Sequence, residues 1–448
     1  MKKRTTKLKY LGLTFAGLSA VLSSSTIAAH NMQVESKGGL KVFSPSEDDH
    51  WFGIGGRLNF DETQFAGGYQ DKKQDFPSGG NIRRVFLKLV GGVGDYLSYN
   101  LTMRFNGTQA RFEDAWLNAG SEYTGPINAA NLRFGQFTPP TTIDDWGNYG
   151  TLNDTMFLES ALATTAFSTP TKVYGIWADA SALDMFMLSA AAYQPRQANV
   201  DNYGNPARSD RLGGSARLTF SPVHTDSTVY HVGVVGRYQS LNNHDMNGNP
   251  LTASNTREPN VFSTRPEARA RNTSSLVDTG FIRARSYNVV AGEALAMWGP
   301  ATLEGEYFQA DVQRVPNIND GPLGKDNPRF HGWHVQGGYL LTGESRRYDF
   351  ATGTLRNPLP ANKLGAWEIV ARFSFVNLVD KNVYGGSEHN TSFGVNWFIN
   401  DNVRIGANYI RASIHNTGVP AGRAPVVQST EPAKRQLDIV GLRFAVAF

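Results

Sequence analysis

The last nine residues read VGLRFAVAF, Val440 to Phe448. Val440, Leu442, Phe444, Val446 and Phe448 take every second place, with Gly441, Arg443, Ala445 and Ala447 between them. Side chains alternate across a strand, so this tail has one bulky apolar face and one small or charged face. A frayed terminus has no reason to keep that order. Two strand contexts fit it: the edge of a soluble sandwich, or a membrane barrel with its bulky face on lipid and Arg443 in a wet interior.

The front of the chain narrows the choice. Lys2, Lys3, Arg4, Lys7 and Lys9 precede a short apolar stretch from Tyr10 to Leu22, and Thr26, Ala28 and Ala29 are small. This is the pattern of a secretory signal peptide over residues 1–29, too short to span a bilayer. Five of the 43 basic residues lie in it and none of the 39 acidic ones, which leaves 38 basic against 39 acidic in the exported part. The basic balance of the whole chain therefore does not indicate a nucleic-acid partner. There is no cysteine, so disulfides and thiolate chemistry are excluded. No later stretch is apolar for ~18 residues, which leaves strands as the way across a membrane.

Sixteen stretches alternate apolar with polar or small residues: 51–61, 82–91, 96–106, 111–119, 130–137, 172–180, 184–193, 211–220, 228–239, 283–297, 301–313, 330–342, 365–377, 389–399, 402–412 and 437–448. In YLSYNLTMRFN, Leu97, Tyr99, Leu101, Met103 and Phe105 oppose Ser98, Asn100, Thr102, Arg104 and Asn106. The alternation is weak at 172–180 and 283–297. Connections alternate short and long, as between the periplasmic and outer ends of bacterial barrels, with 342–364 as the exception. No blade-length repeat supports a propeller. The expectation is a 16-stranded antiparallel transmembrane β-barrel over 51–448, after a short periplasmic segment at 30–50, with the third outer loop folded inward. Closure removes sheet edges, and sixteen strands leave an aqueous lumen.

Parity then assigns the lumen. Arg57, Arg84, Lys88, Arg104, Arg133, Arg211, Arg217, Arg237, Arg372, Arg404 and Arg443 oppose apolar runs and point inward. Charge on the lipid face near mid-membrane would cost ~2–4 kcal/mol. Inward acids are fewer: Asp61, Asp114, Glu304, Glu306 and Glu368. Such a wall favours anions, and the planar arginine fork suits phosphate-like groups. The third outer loop, Thr138 to Thr171, carries Asp144, Asp145, Asp154 and Glu159 beside Trp146, Tyr149, Met156 and Phe157, and no basic residue. Its carboxylates either face the arginine rows across a constriction or are ion-paired to them and hold the loop; the second is the reading for Asp144 and Asp145. TRPEARARN, with Arg265, Arg269 and Arg271, reads as a basic mouth loop for anions or for lipopolysaccharide phosphates. His231 and His334 lie on polar faces with no Ser or carboxylate identified at strand-neighbour spacing, so no enzyme is expected. Neither a cofactor nor a metal is expected.

At GGRLNFD (55–61), IRRVFLKLVG (82–91), LRFGQFTPP (132–140) and GGYLLTGESRRYDF (337–350), the chain resembles the phosphate-selective porins of the O and P type. The resemblance runs through nearly the whole exported part in the same order. It implies a Gram-negative outer-membrane homotrimer that passes inorganic anions such as phosphate or polyphosphate by diffusion. It further implies an arginine ladder leading to a lysine-containing narrow site. Arg57, Arg83 and Arg84 match ladder positions, and Arg217 and Arg237 match by pattern. The third loop departs from the family in having no lysine, and Lys88 is the inward substitute. A general or weakly cation-tolerant porin is the alternative, motivated by the acidic third loop.

Overall fold

The computed structural model describes residues 33–35, 40–43, 50–67, 78–94, 96–106, 109–122, 127–147, 154–168, 172–195, 212–241, 262–270, 275–280, 282, 284–314, 326–416 and 433–448. Sixteen strands form the wall. They are β1 Trp51–Gly67, β2 Gly79–Val93, β3 Leu97–Asn106, β4 Gln109–Glu122, β5 Ile127–Phe137, β6 Val173–Ala182, β7 Phe186–Pro195 and β8 Gly213–His224. They continue as β9 Thr228–Ser240, β10 Ala284–Trp298, β11 Ala301–Arg314, β12 Arg329–Leu340, β13 Ala366–Asp380, β14 Val383–Asn400, β15 Val403–Asn416 and β16 Ala433–Ala447. Each pairs antiparallel with its sequence neighbour, and β16 pairs with β1 from Leu437↔Gly67 to Ala447↔Arg57. The ring is closed, so the ladder satisfies the wall's backbone groups without water.

The terminal phenylalanine is the last stitch of that seam. Gly56 N–H donates to the Phe448 carbonyl at 2.8 Å, and Phe448 N–H donates to the Gly56 carbonyl at 3.1 Å. A Cβ at Gly56 would meet the Phe448 ring at 2.5 Å, so only glycine leaves room for the ring. Beyond the seam, Leu40–Phe43 pairs with Trp51–Ile54 and with Gln33–Glu35, where the 30–50 segment was expected. Residues 1–29 lie outside the described residues.

All sixteen expected strands are present. The two weak ones explain themselves. Val289, Ala291 and Leu295 of β10 face inward yet are buried in packed protein, as are Val173 and Trp177 of β6. Where the lumen is filled by apolar side chains, both faces of a strand are apolar and alternation fades. β14 begins at Val383, six residues before the expected 389, because the outer turn at 381–382 is tight, with Lys381 at φ 54°. That outer connection is short where the length rule expects a long one.

Three inserts occupy the interior. The third outer loop carries two short helices, α1 Ile143–Gly147 and α2 Leu162–Phe167. The fifth outer loop does not stay at the mouth: Phe262, Glu267, Ala268 and Ala270 are buried, and Phe262 packs on Phe167 and Phe330. The loop thus reaches inward from the mouth, with Arg265 half-buried and Arg269 exposed beside Asn81 at the outer end of β2; Arg271 lies outside the described residues, as does Arg211. The exceptional connection after β12 folds a small hairpin, Arg347–Asp349 with Thr354–Arg356, up from the periplasmic end. Leu355 and Tyr348 join Ile143, Met156, Phe157, Val229, Leu295, Met297 and Val370 in one cluster beneath the third loop.

Candidate functional site

The basic wall begins with a register slip. Asn59 of β1 faces Arg84 of β2, whereas Phe60 faces Ile82. Arg83 is the extra residue of a bulge, and a bulge re-aims side chains. Two consecutive arginines therefore reach the lumen. Arg83 Nε and Nη2 donate to the two oxygens of Glu159 at 2.9 and 2.8 Å. Arg84 Nη2 lies 3.9 Å from the same carboxylate. Arg443 of β16 reaches it at 2.6 Å while forming a fork on Asp61 at 2.7 and 2.6 Å, and it also donates to the Leu158 carbonyl. Burial by itself would raise the Glu159 pKa, but the guanidiniums of Arg83, Arg443 and Arg84 hold it well below the usual carboxylate range.

The ladder extends both ways. On the outer side Arg265 and Arg269 feel the charges of Arg83 and Glu159. Arg269 keeps an exposed side chain beside this cluster. Toward the periplasm Arg57 follows, 4.7 Å from the Phe86 ring centre, and then Lys88, whose charged neighbours are Asp114, Arg356, Arg57 and Lys172. Lys172 Nζ donates to Asp114 at 3.0 Å and to the Thr138 hydroxyl at 2.8 Å. Around Glu159, guanidiniums from β1, β2, β16 and the fifth loop outnumber the carboxylates.

The opposite wall is acidic, and the third loop rests on it. Ile143 N–H donates to Glu293 at 3.1 Å and Asp144 N–H to Glu306 at 2.8 Å, while Leu162 N–H donates to Glu267 of the inserted fifth loop at 3.2 Å. Thr142 and Thr164 hydroxyls donate to Glu306 at 3.0 and 3.2 Å. The expectation was that loop carboxylates would hold the loop by pairing with wall arginines. In part they do: Glu159 pairs with Arg83 and Arg443, and Asp144 lies 3.6 Å from Arg372, while Asp154 pairs with Arg356 of the hairpin at 3.0 Å. Most of the anchorage runs the other way, from loop N–H and hydroxyl groups to wall carboxylates. Asp145 accepts from Thr141 at 2.8 Å, and burial raises it to about 6. Tyr149 and the Trp146 side chain lie outside the described residues.

The other anticipated cations are placed less centrally. Arg104 pairs with Glu113 at 3.1 Å. Arg133 is stacked between Trp116 and Trp177, 4.2 and 4.9 Å from their ring centres. Arg237 donates to the Phe167 carbonyl at 3.3 Å. Arg217 is fully buried, bound to Glu293 at 2.7 Å and to the Thr352 and Gly353 carbonyls of the periplasmic hairpin at 2.5 and 2.8 Å. It clamps the hairpin and does not border the opening. Sequence reasoning missed the equivalent clamp at Arg346, which forks onto Glu368 at 2.6 and 2.7 Å. Its signal was the GESRRYDF stretch that carries the resemblance.

His231 does have a hydroxyl and a carboxylate beside it, contrary to the reading from strand spacing. Nδ1 lies 3.1 Å from Ser221 Oγ and 2.7 Å from the Tyr348 hydroxyl, and Nε2 lies 3.1 Å from Glu293. Ser221 is fully buried and lies 2.7 Å from the Tyr348 hydroxyl, so the group latches the hairpin. Asp144, Glu306 and His334 also meet behind the third loop.

Comparison with known proteins agrees with this architecture. The model of the family described as phosphate-selective porin O and P matches residues 52–448. Porin O of Pseudomonas aeruginosa is 25% identical over 429 residues, covering 90% of this chain and 93% of that one. An uncharacterised protein of Caulobacter vibrioides is 24% identical over 381 residues, covering 81% and 68%. Among solved structures, an anion-selective porin from Comamonas acidovorans superposes with a TM-score of 0.52 at 10% identity, over 89% of this chain and all of that one. The outer membrane channel DcaP of Acinetobacter baumannii gives the same TM-score and identity over 89% and 97%.

Proposed function

The chain belongs to the phosphate-selective porin O and P family, and we propose that it is a passive outer-membrane channel for small inorganic anions, phosphate or polyphosphate among them. The observation that supports this reading is the convergence on Glu159 of guanidiniums from four parts of the chain, more than its carboxylates neutralise. The bulged pair Arg83–Arg84 is the element through which an anion passes. Arginine forks at this depth replace the water an oxyanion sheds, because they offer paired donors in fixed planes. Arg269 and Arg265 deliver the anion from the outer side, and Arg57, Lys88 and Lys172 receive it toward the periplasm. Lys88 serves as the lysine step in place of one on the third loop. Three barrels associate as a trimer in the outer membrane, with lipid and lipopolysaccharide around them. Arg104, Arg133, Arg217 and Arg237 support the wall and the inserts.

The test is the zero-current potential of purified protein in a planar bilayer under a KCl gradient, with and without phosphate. A chloride-directed potential and current blocked by phosphate are expected. Replacing Arg83 and Arg84 by Ala removes charged hydrogen bonds of ~1.5–3 kcal/mol each and weakens the block by about tenfold or more. A near-zero or potassium-directed potential without block would make the protein a general diffusion porin.

A further inference from the structure

Behind the third loop, away from the arginine wall, lies a group of side chains that anion passage does not use. Asp144 at the start of α1, Glu306 on β11 and His334 on β12 each present a ligand atom, all within 4.8 Å of one another. The three residues are 2%, 3% and 0% exposed. His334 is turned into the acids: Nδ1 lies 3.9 Å from Glu306 Oε2 and Nε2 3.7 Å from Glu304 Oε1. Neither ring nitrogen has a hydrogen-bond partner, and neither has Asp144 Oδ1. A buried imidazole with both nitrogens unsatisfied is costly, and such groups call for an explanation.

The charge count points the same way. Glu293, Glu304 and Asp144 all act on Glu306. Arg217 lies 2.7 Å from Glu293 and Arg372 3.6 Å from Asp144, and Arg346 acts on Glu304 from farther off. Four carboxylates crowd one chamber, an arrangement that a bound cation would relieve.

The geometry points to a divalent transition-metal site, Zn²⁺ or a similar ion, held by Asp144, Glu306 and His334 with Glu304 as the adjoining carboxylate. One imidazole with carboxylate oxygens suits borderline ions of this class. Ligands at ~2.0–2.2 Å from a tetrahedral ion sit roughly 3.4 Å apart, so the set closes by about an ångström on binding. The supports are in place: Thr142 and Thr164 donate to Glu306 at 3.0 and 3.2 Å, Ala161 N–H to Asp144 at 2.8 Å, and Gln336 to Glu304 at 2.9 Å. Partners of this kind orient metal-binding carboxylates. Asp144 belongs to the loop and the other ligands to the wall. The ion therefore staples the constriction loop to the barrel, and the steadiness of the opening depends on it.

The experiment uses the full-length protein in detergent, stripped with EDTA and titrated with Co²⁺, whose visible absorption reports tetrahedral nitrogen–oxygen ligation. One Co²⁺ per chain is expected, displaced by Zn²⁺. H334Q should lower the affinity by about tenfold or more, since even the outer partners of metal ligands are worth 10–100-fold, whereas H50Q should leave it unchanged. In bilayers, EDTA should add flicker to the wild-type current and Zn²⁺ should remove it. Folded wild-type protein that takes up no Co²⁺ overturns the proposal whatever the variants do. Uptake of equal affinity in assembled H334Q also overturns it. Should H334Q fail to assemble, E304Q, at the adjoining carboxylate, takes its place: weakened uptake supports the site, and unaltered spectrum and affinity overturn it.

Discussion

At the scale of the residue, Glu159 matters most. It is the third-loop carboxylate on which Arg83, Arg84 and Arg443 converge. E159Q should shift the zero-current potential further toward chloride, because those guanidiniums lose their common counter-charge. It should also loosen the loop, since removing one partner of a buried ion pair costs ~3–5 kcal/mol; more current noise and a lower unfolding temperature would show it. The pH dependence follows from the sign of the shift. The folded Glu159 holds its proton more weakly than an unfolded glutamate near ~4.3. Its stabilisation is therefore complete above that value and is lost only as pH falls through the lower, folded one. Selectivity measured from pH 7 down to about 4.3 should stay constant at this site, and a change of selectivity titrating near that value would contradict the pairing.

At the scale of the element, the periplasmic hairpin is the unusual part. Most barrels of this type keep periplasmic connections short, but here Arg347–Asp349 and Thr354–Arg356 rise into the lumen. Arg217 and Arg346 clamp the hairpin from both sides, the first through its carbonyls and the second through Glu368. Arg356 then reaches Asp154 of the third loop at 3.0 Å. The hairpin is thus the floor on which the constriction stands. Replacing 343–363 by a two-residue turn should raise single-channel conductance and weaken phosphate block, because the loop loses its support while the wall ladder stays closed. An unchanged conductance would mean that the hairpin lies outside the current path.

At the scale of the whole molecule, the seam decides whether there is a channel. Phe448 is joined to Gly56 by two backbone hydrogen bonds, and its ring lies over that glycine. Deleting Phe448 removes both bonds and the outward ring, so little heat-modifiable protein should reach the outer membrane; normal amounts would refute the role. The barrel itself was legible in the sequence, because lipid on one side and water on the other impose a period of two on every strand that faces both. That pattern located all sixteen strands and the inward direction of Arg57, Arg84, Lys88 and Arg443. It faded at β6 and β10, where Trp177 and Val289 face packed protein in place of water. It could place only one of Arg83 and Arg84 inward, because a bulge breaks parity without any mark in composition. Nor could it separate Arg217, which clamps a hairpin, from Arg83, which meets the constriction loop, since both obey the same alternation. Fold and the inward direction of the arginines on regular strands were determined by the sequence, through local periodicity that every strand repeats. Which arginines converge, which acids anchor the third loop, and that the fifth loop and a periplasmic hairpin fill the lumen were decided only by tertiary structure. Those pairings join residues such as Arg443 and Asp61, distant in the chain, which only the closure of the barrel brings together.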